Sequence, residues 1–233
     1  FHSANLAEQL WLNPNARDEA LAFFRAYLKP GDKVVDVGAN IGDTVLTVSE
    51  QIGPSGHAWT IEPHPRTFGF LQDNLALNKV ENVTAINSAV GVSTGKVSFS
   101  DNRRDDMNRV GSGELEVPVS TLDDLVDYRA PIALLKVDVE GYERPVIEGA
   151  KSLLSHVQCI HFEISQTHFG WFGYQVRDLL QLIESAGFAL FRIPENGRIE
   201  SINADYETSA VENLVGIKDF DDFRQRTGWI LCD

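Results

Sequence analysis

Val34-Val35-Asp36-Val37-Gly38-Ala39-Asn40-Ile41-Gly42-Asp43 is the stretch on which the reading of the fold turns. The valines at 34, 35 and 37 form the β-branched run of a strand buried on both faces. Gly38 and Gly42 let the chain turn sharply into a helix and pass close to a ligand. Asp36 interrupts the apolar run. A carboxylate there needs hydrogen-bond donors, and the backbone amides of the loop itself are a ready source.

The loop departs from the dinucleotide fingerprint, which wants glycines at its first, third and sixth positions so that a pyrophosphate rests on bare amides at a helix N-terminus. Here Gly38 is followed by Asn40 and Asp43. Asp43 puts negative charge in the first helical turn, where a diphosphate would sit. The loop therefore suits a ligand without phosphates, such as S-adenosylmethionine, or it is an ordinary strand-to-helix turn.

Working outward, the strand His57 to Ile61 delivers Glu62-Pro63 at its end. Glu62 lies about twenty residues past the glycine loop, the spacing at which open α/β folds place the acid that accepts hydrogen bonds from a ribose diol. Val83 to Ile86 reads as a third strand, and the small residues Asn87-Ser88-Ala89 after it leave room for an adenine ring. Lys96 to Ser100 is a further strand. The polar stretch Asp101 to Gly113 is long enough to be a functional loop. Ile132 to Val137 is a fourth buried strand, running into Lys136-Val137-Asp138-Val139-Glu140-Gly141. Alternation turns Lys136, Asp138 and Glu140 to one side, at the carboxyl edge where ligands of parallel sheets bind. Gln158 to Ile164 is the fifth strand. His161, Glu163 and His168 beside Phe169, Trp171, Phe172 and Tyr174 suggest the wall of a pocket.

Before the sheet, Ala20, Phe23, Phe24, Tyr27 and Leu28 fall on one helical face that ends at Pro30-Gly31, and the segment Leu6 to Leu12 is placed to cover a cleft. We expect a helical cap over residues 1–30 and a single catalytic domain over 31–233. Val146 to Leu154 reads as one helix. Val176 to Ile183 forms the last large helix, and Phe188 to Ile193 and Asn213 to Ile217 are two more strands joined by a polar loop.

The net charge of −14 over 233 residues argues against a nucleic-acid groove, which depends on clustered Lys and Arg. No apolar run reaches membrane-spanning length. Cys159 and Cys232 have no metal-type spacing and suggest a reducing compartment, so a cytoplasmic location is expected. Monomer and homodimer are both left open.

Five segments together resemble the FkbM family of S-adenosylmethionine-dependent methyltransferases: Asp36 to Gly42, Glu62-Pro63, Ser120-Thr121-Leu122-Asp123, Lys136 to Glu143, and Phe162-Glu163. The resemblance runs from about Val34 to Ile193. It implies a class I methyltransferase, Rossmann-like α/β fold. Its seven-stranded sheet has the order 3-2-1-4-5-7-6, the last strand in sequence running antiparallel, with helices on both faces. It further implies that Gly38, Asn40, Glu62, Ser88 and Asp138 lie near the cofactor; we also expect Asp36 and Gly42 of the same loop to belong to the cofactor site.

The expected reaction is transfer of a methyl group from S-adenosylmethionine to a hydroxyl oxygen of a small natural product or glycan. A hydroxyl is too weakly acidic to ionise unaided, so a base or a metal ion should assist. Glu140, His161, Glu163 and His168 are candidate bases, with Glu163 and His168 preferred. Alternatively, Asp138 and Glu163 hold one divalent ion such as magnesium. A non-catalytic binding module and a dinucleotide-dependent oxidoreductase are the competing functions. Asn40 and Asp43 count against the oxidoreductase.

Overall fold

The computed structural model describes residues 5–13, 15–102, 108–111 and 113–232. Two helices, α1 (Asn5–Leu12) and α2 (Asp18–Tyr27), lead into alternating strands and helices: β1 (Lys33–Val37), α3 (Asp43–Ile52), β2 (His57–Ile61), α4 (Pro65–Leu77) and β3 (Val83–Ile86). The second half carries β7 (Ile132–Val137), α6 (Glu143–Glu148), β8 (Val157–Ile164), α7 (Gln166–Trp171), α8 (Val176–Ser185), β9 (Ala189–Arg192), β10 (Arg198–Ile202), β11 (Glu212–Ile217), α9 (Phe220–Thr227) and β12 (Ile230–Cys232). Between the halves lie β4 (Ala89–Val90), β5 (Gly95–Phe99), β6 (Leu115–Ser120) and the short helix α5 (Leu122–Leu125), whose strands form a separate three-stranded sheet.

The main sheet has the order β12-β10-β9-β11-β8-β7-β1-β2-β3. Read from the other edge, β3-β2-β1-β7-β8-β11-β9 reproduce the expected 3-2-1-4-5-7-6 arrangement, with β10 inserted in sequence before β11, which runs antiparallel to both β8 and β9. Beyond it, β10 and β12 extend the edge past β9, an addition the resemblance does not imply.

Alternation along the strands divides the core between the two faces of the sheet. Val35, Val37, Leu135 and Phe162 pack with Val146, Ile147, Leu179 and Ile183 of α6 and α8. Val34, Leu134 and Cys159 pack with Phe23, Phe24 and Tyr27 of α2, Val45 and Val48 of α3, and Phe223 of α9. Thus α2 is built into the core, and the Tyr27 hydroxyl donates to the carbonyl of Ala133 at 3.1 Å. Both cysteines are free thiols, and among the described residues no helix is long and apolar enough to cross a membrane.

Several local expectations are corrected. The helix expected to run to Leu154 stops at Glu148. Gly149 packs so closely on the Gly91 carbonyl that a Cβ would come within 2.1 Å, and the chain continues as a 3-10 turn over Leu153–His156. The aromatic stretch after β8 is a helix, α7, capped by the Ser165 hydroxyl. The polar loop before β11 contains β10, and the C-terminal tail contributes α9 and β12. Of the loop Asp101 to Gly113, residues 103–107 and 112 lie outside the described residues.

Candidate active site

The carboxyl edge of β1, β2, β7 and β8 opens onto a cavity of about 300 Å³. Gly38 and Asn40 line it from the loop after β1, Asp43 and Thr44 from the first turn of α3, Glu62 and Pro63 from just past β2, and Ser88 to Val90 from just before and within β4. The lining continues with Lys136, Asp138, Val139, Glu140, Tyr142 and Glu163. Leu6 and Gln9 of α1 and Arg17 close one side.

Gly38 has φ +85°, and a Cβ on it would lie 1.7 Å from the Asp138 carbonyl oxygen. Only glycine permits so close a passage of two backbones. Asn40 adopts φ +49°, a conformation that asparagine tolerates better than most residues. Its amide donates to Glu62 Oε2 at 3.0 Å, while Glu62 Oε1 accepts from the His64 amide at 2.9 Å. Glu62 therefore braces the glycine loop and, with one lone pair in use on each oxygen, keeps acceptor capacity for a ligand. Burial pushes its carboxyl up to about 7, against the pull of those two amides. Asn40 Oδ1 is buried with no hydrogen-bond partner among the described residues.

Asp36 and Gly42 do not line the cavity. The expectation that loop amides satisfy Asp36 is corrected: its partners are the Thr60 hydroxyl at 3.3 Å and Lys136 Nζ at 3.1 Å. Register explains this. Thr60, Asp36, Lys136 and His161 stand opposite one another across β2, β1, β7 and β8, forming one polar row on the face covered by α2 and α3. Burial works against the Lys136 charge, but the carboxylates of Asp36 and Asp138 outweigh it and hold the ammonium protonated. The same Nζ reaches the Gly38 carbonyl at 3.3 Å and Asp138 Oδ2 at 3.6 Å, tying the glycine loop to the end of β7.

His161 is likewise corrected as a candidate base. Its ring lies against Phe23 and Phe24, with centroids at 5.0 and 5.1 Å, and burial followed by the Lys136 charge pushes it down to about 3. The Asp43 charge, expected to repel a phosphate, is matched by Arg17 at 2.9 Å.

The remaining acids do converge. Glu140 takes φ +55° in the turn after β7, which is folded by a residue the sequence reading left without a role. Glu143 Oε1 accepts the amides of Val139 at 3.0 Å and Gly141 at 3.3 Å from a fully buried position, and the Tyr174 hydroxyl donates to the Gly141 carbonyl at 2.7 Å. A carboxylate two residues after Gly141, in the turn that follows β7, was the available signal. The turn directs Glu140 Oε2 to within 3.4 Å of His168 Nδ1, while Glu163 Oε2 lies 3.8 Å from the same nitrogen. Burial, then the charges of Asp138, Glu140 and Glu143, raise the Glu163 carboxyl to about 9. His168 is held below the usual imidazole range by burial and Arg109. Its ring stacks on Trp171 at 4.6 Å, and the Arg109 guanidinium lies 3.8 Å over the Trp171 ring. The expected ion-binding pair of Asp138 and Glu163 is not the grouping found. Among the described residues the metal-capable trio is Glu140, Glu163 and His168, with one donor atom each lying within 4.8 Å of the others. Asp138 is turned to Lys136.

The hexuronic acid methyltransferase AglP of Haloferax volcanii is 26% identical over 186 residues, covering 77% of this chain and 73% of the relative. The precorrin-6y C5,15-methyltransferase of Geobacter metallireducens superposes with a TM-score of 0.50 at 14% identity, covering 85% of this chain and 87% of that one. A methyltransferase-fold protein of Streptococcus mutans, solved in complex with S-adenosylhomocysteine, gives 0.52 at 9% identity, covering 85% and 94%. These two likenesses establish the fold of S-adenosylmethionine-dependent methyltransferases. Residues 36–190 match the methyltransferase FkbM domain, from the end of β1 through β9, and the chain belongs to that family.

Proposed function

We propose that this methyltransferase moves the methyl group of S-adenosylmethionine to a hydroxyl oxygen of a sugar or sugar-like small molecule. The observation that carries this reading is one continuous cavity with the Gly38–Asn40–Glu62 lining on one wall and the Glu140–Glu163 lining on the other.

The residues present fit the cofactor. Glu62 keeps lone pairs for a ribose diol, Asn40 Oδ1 is a buried acceptor in want of a donor, and Ser88 to Val90 provide a narrow wall for a flat base. Asp138 stands beside them on Lys136. Bound S-adenosylmethionine supplies an activated methyl. What the chain must add is alignment of the acceptor oxygen, exclusion of water, and removal of the hydroxyl proton as the new bond forms. The Glu140–Glu163–His168 cluster is where that proton is lost. Leu6 and Gln9 of α1 line the cavity, so this helix would help to shut out water. The sugar class of acceptor is taken from the similarity to AglP.

Calorimetric titration with S-adenosylhomocysteine, run beside NADH, tests the cofactor. Micromolar binding of the first and none of the second is expected, and the reverse would favour the oxidoreductase. Incubation with S-adenosylmethionine and a panel of hexoses, hexuronic acids and their glycosides then tests the acceptor. An alkali-stable methyl ether is the expected product, whereas an alkali-labile methyl ester would move the reaction to a carboxylate.

A further inference from the structure

We propose that Glu140, Glu163 and His168 form a binding site for one divalent first-row transition ion at the acceptor wall of the cavity. The inference rests on the reading above only for what the ion would face; the site itself stands on geometry.

Three donor atoms, one imidazole nitrogen and two carboxylate oxygens, come together from three separate elements. Glu163 ends β8, Glu140 sits in the turn after β7, and His168 belongs to α7. Glu140 and His168 are held by groups outside the cluster. The Glu140 turn is fixed by Glu143 and Tyr174, and the His168 ring is fixed by its stack on Trp171. The donors therefore arrive preorganised, without ordering at the moment of binding. Ligand atoms about 2.1 Å from a shared ion lie about 3.0–3.4 Å apart, so the 3.4 Å from Nδ1 to Glu140 fits, and the 3.8 Å to Glu163 must shorten by about half an ångström. Contraction of that size is within side-chain reach.

His168 Nδ1 is itself buried and has no hydrogen-bond partner among the described residues, although it is aimed between two carboxylates. Two protein acids and an imidazole nitrogen within 4.8 Å of one another are the donor types of a transition-ion site. The donor chemistry selects the ion. An imidazole among carboxylates suits manganese, cobalt or zinc better than magnesium or calcium, which prefer oxygen alone. Glu140 and Glu163 both line the cavity, so the ion's open positions would face the acceptor, where a vicinal diol of a sugar could chelate it.

The test uses the whole chain, stripped with EDTA and titrated with Mn2+ while the free-ion electron paramagnetic resonance signal is followed. S-adenosylhomocysteine calorimetry is run on every sample. One Mn2+ site per chain is expected, weakened about tenfold or more in Glu163→Gln and in His168→Ala. Both variants should keep their affinity for S-adenosylhomocysteine, which shows that they are folded. Absence of a site in the parent at millimolar Mn2+, or binding that is unchanged in His168→Ala, would overturn the proposal and leave the methyltransferase reading intact. Loss of S-adenosylhomocysteine binding by the parent with Mn2+ still bound would do the opposite.

Discussion

Lys136 Nζ lies 3.1 Å from Asp36 Oδ1, and the two residues stand directly opposite each other on neighbouring parallel strands at the centre of the sheet. Both are buried, so each charge depends on the other. Removing one partner strands a charge in the core, a loss of about 3–5 kcal/mol. Lys136→Met and Asp36→Leu should each show that loss in urea denaturation, and the double variant should recover most of it. Single variants as stable as the parent would mean that the pair is not ionised in the fold.

Glu62 couples cofactor binding to pH. Its carboxyl is raised from 4.5 to about 7 by burial, so in the empty protein it contributes stability that is present at low pH and lost as pH rises through about 7. Ligand binding has the opposite sign, since ribose hydroxyls donate to the ionised form. Affinity for S-adenosylhomocysteine should therefore rise across neutral pH in the parent and stay flat in Glu62→Gln. Glu62→Ala should weaken binding by about 1–3 kcal/mol, the scale of a lost charge-assisted hydrogen bond. An unchanged affinity would remove Glu62 from the ribose role.

Glu143 acts on the site through the backbone. Glu143→Ala orphans the amides of Val139 and Gly141 and should lower stability by about 1–3 kcal/mol. The maximal rate should fall further than cofactor affinity, because Glu140 loses the turn that presents it. Glu143→Gln keeps an accepting oxygen and should restore much of both. Equal losses in the alanine and glutamine variants would place the requirement on the charge instead.

Glu163→Gln should bind S-adenosylhomocysteine as the parent does and turn over at least about a hundredfold more slowly, in the range expected for loss of proton-transfer assistance. Single-turnover assays with saturating cofactor separate the two quantities. Full activity would exclude Glu163 from the chemistry.

Residues whose place in the fold is set within their own segment were legible in the sequence. The glycine loop, the Glu62 spacing and the run from Lys136 to Glu140 each combine a strand end with a turn, and periodicity exposes both. Asp36 and His161 were not legible, because their meaning comes from register. Alternation says which face a residue takes but not which residue on another strand stands beside it, and the Asp36 partner lies 100 positions away. His161 has the chemistry of a base and the surroundings of a core residue, supplied by Phe23 and Phe24 from far upstream. The six residues of α7 are too few for a helical period to emerge, so its aromatic content dominated. The outer strands β10 and β12 are short, at five and three residues, as sheet edges tend to be, and carry little alternation to detect.

The missing side chain at Gly38 has a consequence beyond the turn it allows. On the proposed function, the place where its backbone passes the Asp138 carbonyl is where the part of the sheet that holds the cofactor meets the part that faces the acceptor. The far wall on that reading is Glu140, in the turn after β7, and Glu163 of β8, with His168 of α7 beside them. Mutational drift can thus recast that far wall for a new acceptor while the near wall goes on recognising the same donor. The joint itself tolerates almost no change. A lineage descended from this chain would diversify in what it methylates long before it altered how it holds the methyl group.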